Sequence, residues 1–399
     1  MNKSTNFVGQ HIFSQIISLC KRDVLHPVIK DCNANRYYKK LKAYEHFITM
    51  MYAVLSRSTS LREIVMGLTL AEGKLKHLNM DYVPPKSTLA DGNKLRPSKF
   101  FERVYHHLYG LYKPSFSDST INKEVLKNLF LLDASTFSLF KAILKTSGRN
   151  SMNGKKKGGI KKNTVIHAQS LMPTFVRFSA ASANDQTIYP HLNLPENSFV
   201  VFDKGYTDYS QYRYFTEKHI YFVTRQKQNA KYKSLSEFGL TDKVPDSILK
   251  DELIEVSYKD PNQQPSNLVL RRVAYWDVNG NRVFEYLTNN LELEAIQITN
   301  IYRFRWKIEL FFKKLKQNFN LDYFVGDNQN AIEIQIWCAL IALLLLSVLH
   351  QQHQSKIAFS NFVHLIGLHL LNYLSIEAIA RYSAKIKLNP LINNLFNSS

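Results

Sequence analysis

The stretch YRFRWKIELFFKKLK runs from Tyr302 to Lys316 and shows two helical patterns at once. At about 100° per residue, its polar side chains Tyr302, Arg305, Glu309 and Lys316 fall within an arc of roughly 60°. A second face has the apolar spacing of a helix that packs on a core. The apolar residues of that face are Phe304, Ile308, Phe311 and Leu315. The stretch therefore predicts one packed helix with a polar face.

The polar face has two interpretations, a solvated ion pair or a set of functional groups. Arg305 precedes Glu309, which is the less favourable order for an ion pair four residues apart on a helix. The run that begins at Ile334 is too apolar for a surface element, so the preceding helix is expected to lie between other elements. We therefore expect Glu309 to be present for its chemistry.

The charge balance indicates a polyanionic partner. The chain has 399 residues, with 52 Lys and Arg against 32 Asp and Glu and a formal charge of +20. Such an excess costs self-repulsion unless a polyanion is bound. Double-stranded DNA is the first candidate, and an anionic membrane surface is the second.

Cysteine usage and hydropathy predict a cytosolic protein. Cys20, Cys32 and Cys338 are far apart and form no CxxC or Cys/His motif, so no zinc site is expected. The N-terminus has no long apolar segment, which argues against a signal peptide. The apolar run from Ile334 to Leu349 is shorter than the ~18 residues expected of a spanning helix, and it predicts a buried helix.

Residues 1–118 carry helical patterns throughout and predict a helix-turn-helix-like DNA-binding domain. Ser60 with Glu63 has the spacing of a capping box. Ser87 and Thr88 are placed to cap the next helix. An ordinary helical bundle is an equally open interpretation. The segments with helical spacing are GQHIFSQIISLCKR, YYKKLKAYEHFITMMYAVLS, SLREIVMGLTL and SKFFERVYHHLYGLY.

From about Leu126 the pattern changes to strands, which predicts an α/β core over residues 119–228. The first strand, Asn128 to Thr136, contains Asp133, and two antiparallel strands follow it. A later apolar run ends at Asp203 and is followed by a helix and a fifth strand. This alternation indicates parallel pairing, and ligands of such sheets bind at the carboxyl ends of the strands.

The remaining chain is predicted to hold three further segments. Residues 229–290 form a β-rich insertion with three strands and a hairpin at Asn279-Gly280. Residues 291–350 form the second part of the core with the Glu309 helix. Residues 351–399 form a helical C-terminal region.

Three carboxylates stand out in this layout: Asp133, Asp203 and Glu309. A carboxylate at a buried strand end is costly unless it is paired or bound to metal. Oxygen ligands without His or Cys suit Mg²⁺ or Mn²⁺. Two such ions support the cleavage and transfer of phosphodiesters. A capping or turn role remains open for Asp133, as does a strand-to-helix turn for Asp203.

Three motifs together resemble the DDE transposases of bacterial insertion sequences of the IS4 type. They are Asp133-Ala-Ser-Thr, Asp203-Lys-Gly-Tyr and the spacing Tyr302-x2-Arg305-x3-Glu309-x6-Lys316. The resemblance covers roughly residues 125 to 350. It implies an RNase H-like catalytic core with a β-rich insertion, in an enzyme that acts as a homodimer on paired DNA ends.

The resemblance also implies roles for individual residues. Asp133, Asp203 and Glu309 would be the catalytic metal ligands, with two Mg²⁺ or Mn²⁺ ions. Arg305 and Lys316 would hold phosphates of the transposon end, and Tyr302 would position the strand. Trp276 is the candidate for stacking on a flipped base, whereas Trp306 is expected to be a packing residue.

Further cations are candidates for DNA contact. Lys313 lies on the predicted helix. A basic loop from Lys145 to Lys162, with an alternative as a solvated hairpin tip, could follow the DNA backbone. His167 is expected to be a satisfied, half-buried strand residue. The DNA-contacting candidates in the basic loop are Lys155, Lys156, Lys157 and Lys161.

The sequence thus predicts a transposase that performs metal-dependent DNA cleavage and strand transfer. Two alternatives remain open, namely a nuclease on the same fold without strand transfer and an inactive DNA-binding copy.

Overall fold

The computed structural model describes residues 9–116, 127–138, 148–149, 157–180, 182–238 and 245–381. The chain divides into two compact units. Met1–Phe116 with Lys314–Ser399 forms the first, here called the helical unit, and Ser117–Lys313 forms the second, the sheet unit. The fold is mixed α/β, as the sequence predicts.

The sheet unit is built on one large sheet. Its order is β2-β3-β1-β5-β6-β10-β9-β8-β7, with β4 also paired to β3. The strands are β1 (Leu129–Ser138), β2 (Gly148–Arg149), β3 (Lys157–His167), β4 (Met172–Ala180), β5 (Phe199–Val201), β6 (Tyr221–Arg225), β7 (Lys233–Glu237), β8 (Ile248–Lys259), β9 (Pro265–Asp277) and β10 (Arg282–Thr288).

Three parallel strands, β1, β5 and β6, form the middle of the sheet. Leu131 pairs with Val201, so Asp133 and Asp203 both lie two residues beyond the same pair of positions. The register therefore brings the two aspartates to the same level at the carboxyl end of the parallel pairing, where ligands of open sheets bind.

The segment predicted as a β-rich insertion continues this sheet. It holds four described strands, β7 to β10, and β10 pairs antiparallel with β6. Ile254 and Leu270 belong to the same apolar core as Val200 and Phe222. The predicted hairpin is confirmed, because Asp277 pairs with Arg282 around the Asn279-Gly280 turn.

The helices differ in several boundaries from those that the sequence predicts. The third helix begins at Ala43, whereas its helical spacing in the sequence starts at Tyr37. Residues 37–42 form an irregular turn before it. The described helices are α1 (Ile12–Ile17), α2 (Arg22–Asp31), α3 (Ala43–Leu55), α4 (Leu61–Leu70), α5 (Lys86–Leu95), α6 (Ser98–Tyr112), α7 (Tyr209–Glu217), α8 (Ala295–Arg303), α9 (Trp306–Phe319), α10 (Gln329–Gln352), α11 (Phe359–Leu368) and α12 (Ile376–Ala380).

The two predicted caps have different outcomes. Ser60 caps α4 by accepting a hydrogen bond from the Glu63 backbone N–H, and the Glu63 carboxylate accepts from the Thr59 N–H. The cap predicted at Ser87 and Thr88 is wrong. Proline at the preceding positions lets α5 begin at Lys86, and its N-cap has no side-chain hydrogen bond.

The apolar helix α10 is buried, as predicted, but it is longer than predicted. It has 24 residues, because the helix also includes polar residues before Ile334 and after Leu349. By length and composition it passes the test for a membrane-crossing helix, the one described helix that does so. Of its most apolar stretch of 18 residues, 89% is buried inside the protein, as expected of a core helix.

A buried polar cluster links α3 to the α5–α6 corner. His46 is fully buried, its Nε2 lies 2.7 Å from Asn93 Oδ1, and the Arg96 Nη1 donates to its Nδ1 over 2.6 Å. Burial, and then the charge of Arg96, lower the pKa of His46 to about 3. The imidazole is therefore neutral at physiological pH.

We predict that acid destabilises the protein through His46. Below the ordinary histidine pKa of about 6.5, His46 is protonated in the unfolded chain but remains neutral in the folded chain. The free energy of unfolding therefore falls by up to about 1.4 kcal/mol for each pH unit of acidification. Urea denaturation of wild type and His46→Gln between about pH 7 and about pH 5 measures this dependence. The variant should show the smaller change in stability with pH, and an equal change in both proteins would contradict the assignment.

Candidate active site

A cavity opens in the sheet unit where the parallel strands end. It has a volume of about 740 Å³ and is lined by acidic and basic side chains. Asp133 comes from β1, and Asp203 follows β5. A third carboxylate, Asp185, comes from a short 3-10 helix after β4. The full lining is Asp133, Asp185, Asp203, Lys204, Gly205, Tyr206, Lys227, Gln228 and Asn229.

Asp133 occupies the most constrained position of the three. Its Oδ1 accepts a hydrogen bond of 2.8 Å from the Ala134 N–H. The pKa of its carboxyl is raised from 3.8 to about 6, mainly by burial and in smaller part by the negative charges of Glu309 and Asp203, whereas the Ala134 N–H and Arg305 lower it. Asp203 and Glu309 are thus close enough to Asp133 to repel its charge.

Arg305 is the counter-charge within this acidic cluster. Its Nη2 donates to Glu309 Oε1 over 2.5 Å, and its Nη1 lies 3.7 Å from Asp133 Oδ2. The side chain is only 14% exposed. One guanidinium therefore bridges a carboxylate from the sheet and a carboxylate from α9.

The single helix predicted from Tyr302 to Lys316 is wrong. It is two helices, because α8 ends at Arg303 and α9 begins at Trp306. At the junction the N–H groups of Phe304 and Arg305 donate to carbonyls three residues back, which tightens the backbone. Tyr302 is consequently a buried residue of α8, and Arg305 lies in the turn before Glu309.

The donor chemistry of the site fits a hard divalent cation. Carboxylate oxygens are the ligands that Mg²⁺ and Mn²⁺ prefer. Among the described residues, no three His, Cys, Asp or Glu side chains are close enough to hold one ion together. Arg305 instead pairs with Glu309 and lies 3.7 Å from Asp133.

Comparison with known proteins identifies the family. The model of the family described as "Transposase DDE domain" matches residues 125–345, more than half of the chain. The chain belongs to this family. A second model, "Domain of unknown function (DUF4372)", matches residues 8–81.

Individual relatives of this transposase agree with the family. A protein of Sinorhizobium fredii named as a transposase, y4zB, is 28% identical over 300 residues, 75% of this chain and 81% of its own. One of Synechocystis, named as a transposase for insertion sequence element IS4SA, is 30% identical over 162 residues, 39% and 42% of the two chains. A solved piggyBac transposase synaptic complex with hairpin DNA covers 97% of this chain and 83% of its own at 11% identity with a TM-score of 0.40, a likeness too weak to support an inference.

Several lining residues of the transposase cavity were missed in the sequence. Asp185 is one, and Lys227, Gln228 and Asn229 after β6 are others. A signal for the last three was available, because the turn after a parallel strand is where ligands of such sheets bind. Asp185 carried no comparable pattern, since it lies on a segment that only the fold brings back to the sheet.

The predicted DNA-contacting lysines of the transposase have different environments. Lys313 is exposed on α9, and Lys316 is half-buried, which lowers its pKa. Lys161 donates to Asp185 over 2.9 Å and is mostly buried, so its ammonium does not point freely into solvent. Lys157 lies on β3. Lys155 and Lys156 lie outside the described residues.

Part of the predicted basic loop is interior. Lys162 is fully buried, with its Nζ 5.5 Å and 5.3 Å from the ring centres of Phe311 and Phe312. Its surface role is therefore wrong, because the ammonium faces aromatic rings of α9. His167 is a strand residue with a hydrogen-bonded ring nitrogen, as predicted, since its Nε2 lies 2.7 Å from the Lys127 carbonyl oxygen, but it is buried instead of half-buried.

The two tryptophans singled out in the sequence have different environments. Trp276 is half-buried on β9 and pairs with Val283 across the hairpin. Trp306, predicted as a packing residue, is 58% exposed. It is the first residue of α9, directly after the helix break.

We predict that Asp133→Asn stabilises the transposase at neutral pH. The raised pKa means that the ionised carboxyl costs the folded state free energy at pH 7, and neutral Asn removes a cost of about 1 to 3 kcal/mol. Denaturant midpoints at neutral pH measure the change. Asp208→Ala, which removes the cap of α7, should lower stability in the same assay. A clear loss of stability in Asp133→Asn would contradict the prediction.

Proposed function

We propose that this transposase binds the terminal repeats of a bacterial insertion sequence, cleaves DNA there and joins the freed 3′-hydroxyl to target DNA. The observation that carries the proposal is the convergence of three carboxylates that are far apart in the chain. Asp133 and Asp203 line one cavity, and Arg305 pairs with Glu309 and lies 3.7 Å from Asp133. Such a concentration of mutually repelling carboxylates is costly and is characteristic of functional sites.

Asp133, Asp203 and Glu309 would hold the divalent cations, which we propose to be two Mg²⁺ or Mn²⁺ ions. When bound, they would supply an activated hydroxyl and charge stabilisation for the leaving oxygen of the phosphodiester. Asp185 lines the same cavity, and its pairing with Lys161 limits its availability as a ligand.

Arg305 would have two alternative positions. In this structure it neutralises Glu309 and Asp133. On turning toward a DNA phosphate it would leave both carboxylates free to ligate cations. Planar, bidentate pairing with phosphate is the interaction to which guanidinium is best suited. Tyr302, buried beside it, would then position the guanidinium, and Lys316 would hold a second phosphate.

The strand order supports an RNase H-like core for the proposal. Strands β4, β3 and β1 pair antiparallel, and β5 and β6 extend β1 in parallel. We further propose that the β-rich segment 229–290, the helical DNA-binding region 1–118 and the C-terminal region 351–399 serve this core, as the sequence predicts. A homodimer acting on paired ends in the bacterial cytoplasm completes the proposal.

The experiment is incubation of the full chain with labelled DNA carrying the element end and a supercoiled target plasmid, with Mg²⁺ or with EDTA. Cleavage with end-joined plasmid, lost in EDTA, is the expected result. Nicking without joining would instead assign a nuclease. DNA binding without any cleavage would identify an inactive copy and overturn the catalytic proposal.

We predict that Asp133→Asn and Glu309→Gln each abolish cleavage while the affinity for the element end changes little. Each removes a metal ligand without removing a cation that contacts phosphate. Gel-based cleavage and binding assays on the same preparations separate the two effects. Glu217→Gln, an exposed carboxylate at the end of α7, is the matched control and should cleave normally. Wild-type cleavage by either site variant would remove that residue from the proposed triad.

A further inference from the structure

The turn between α2 and α3 is a strongly basic surface feature of the helical unit. Residues 33–42 read NANRYYKKLK and contain four cations and no acid. All four cations are exposed, and none has an ion-pair partner among the described residues. They are Arg36, Lys39, Lys40 and Lys42. We call residues 33–42 the basic turn.

Tyr37 at the centre of the basic turn is held in an unfavourable conformation. Its φ is +67°, in the left-handed region, and the side chain is 87% exposed. The Arg36 guanidinium carbon lies 4.8 Å from the centre of its ring. A left-handed non-glycine residue costs about 1 kcal/mol or more, and such strain clusters at functional positions. Because the ring is exposed, burial of apolar surface does not offset this cost.

The buried guanidinium of Arg96 holds the backbone of the basic turn in place. Arg96 is fully buried, and its Nε and Nη2 donate to the carbonyl oxygens of Ala34 and Leu41 over 3.3 Å and 2.7 Å. Its guanidinium carbon lies 3.9 Å from the ring centre of Tyr38. Asn35 adds a further tie, because its Oδ1 accepts from the Ala43 N–H over 2.7 Å.

Burying Arg96 is expensive, which indicates that the shape of the basic turn matters. Burial lowers the pKa of Arg96 to about 10, and the side chain to which the guanidinium donates, His46, is neutral. A buried cation without a paired carboxylate destabilises a fold unless its hydrogen bonds are well satisfied. Here those bonds go to the two ends of the basic turn. The cations and the ring are consequently presented on a rigid backbone.

We propose that the basic turn binds the sugar-phosphate backbone of duplex DNA. Arg36, Lys39, Lys40 and Lys42 contact phosphates, and Tyr37 orients Arg36 with one face while its other face packs against a deoxyribose. The proposal rests on the proposed function only in taking DNA as the ligand, and it requires no catalysis. Its contacts are to the backbone, so they contribute affinity and orientation rather than sequence preference.

The first test measures the salt dependence of DNA binding by the full chain in EDTA. The probes are two fluorescein-labelled duplexes of equal length and unrelated sequence. In Lys39→Gln/Lys40→Gln/Lys42→Gln, the slope of log affinity against log salt concentration should fall in magnitude by about 0.9 per lost contact, equally for both duplexes.

The matched control changes the same charge at exposed lysines elsewhere: Lys113→Gln/Lys218→Gln/Lys356→Gln. It should leave the slope within about one contact of wild type. Equal slopes in the two triple variants would overturn the proposal, since the effect would then follow from net charge alone. Loss of binding to phosphatidylserine vesicles with unchanged DNA binding would overturn it in favour of a membrane surface.

The second test isolates the ring of Tyr37. Asn tolerates the left-handed conformation, so Tyr37→Asn should fold with an equal or higher midpoint of thermal unfolding and bind DNA several-fold more weakly. Tyr37→Phe keeps the ring and should bind as wild type does. Unchanged affinity in Tyr37→Asn would remove the ring from the proposal.

These measurements distinguish failure of the basic turn from failure of the proposed function. Asp133→Asn should keep the wild-type salt slope because it lies outside the basic turn. A changed slope in the lysine variant alongside absent cleavage in wild type would support the basic turn and refute the catalytic proposal. Normal cleavage with unchanged slopes would refute the basic turn alone.

Discussion

The bridging of Asp133 and Glu309 by Arg305 is the interaction on which the candidate site depends. Two carboxylates repel Asp133, and burial already disfavours its charge. Without a cation this arrangement would cost several kcal/mol, because buried like charges cannot all remain ionised. Arg305 reduces this electrostatic repulsion, because it supplies a positive charge from the chain itself. The guanidinium therefore allows the two carboxylates to lie close together in the folded chain.

The parallel register of the sheet is what makes the arrangement possible. Pairing of Leu131 with Val201 aligns β1 and β5, so that a carboxylate two residues further along each strand reaches the same edge. Strands β7 to β10 lengthen the sheet from β6 and share its apolar core. The candidate site therefore lies on rigid strands and one helix start, which suits chemistry that requires fixed distances.

The two units use buried guanidinium groups in different ways. Arg305 pairs with Glu309 and lies close to Asp133, which lines the cavity, whereas Arg96 forms no ion pair with the described residues. The hydrogen bonds of Arg96 go to His46 and to the backbone carbonyls that flank a surface turn, and its guanidinium lies over the ring of Tyr38. Arginine suits both roles because its planar group offers several donors in fixed directions. In each unit a buried guanidinium fixes the arrangement of groups that lie nearer the surface.

The sequence by itself determined the family, the mixed α/β class and the candidate carboxylates, because these depend on local patterns: apolar runs that end at Asp133 and Asp203, the fixed spacing around Glu309, and the excess of positive charge. Periodicity also located α6 and the β9–β10 hairpin. Only the tertiary structure decided the helix break before Trp306, the burial of Lys162, the return of Asp185 to the cavity and the left-handed Tyr37 in a turn with helical spacing. Each depends on which distant elements pack together, and a pattern of neighbouring residues carries no information about such contacts.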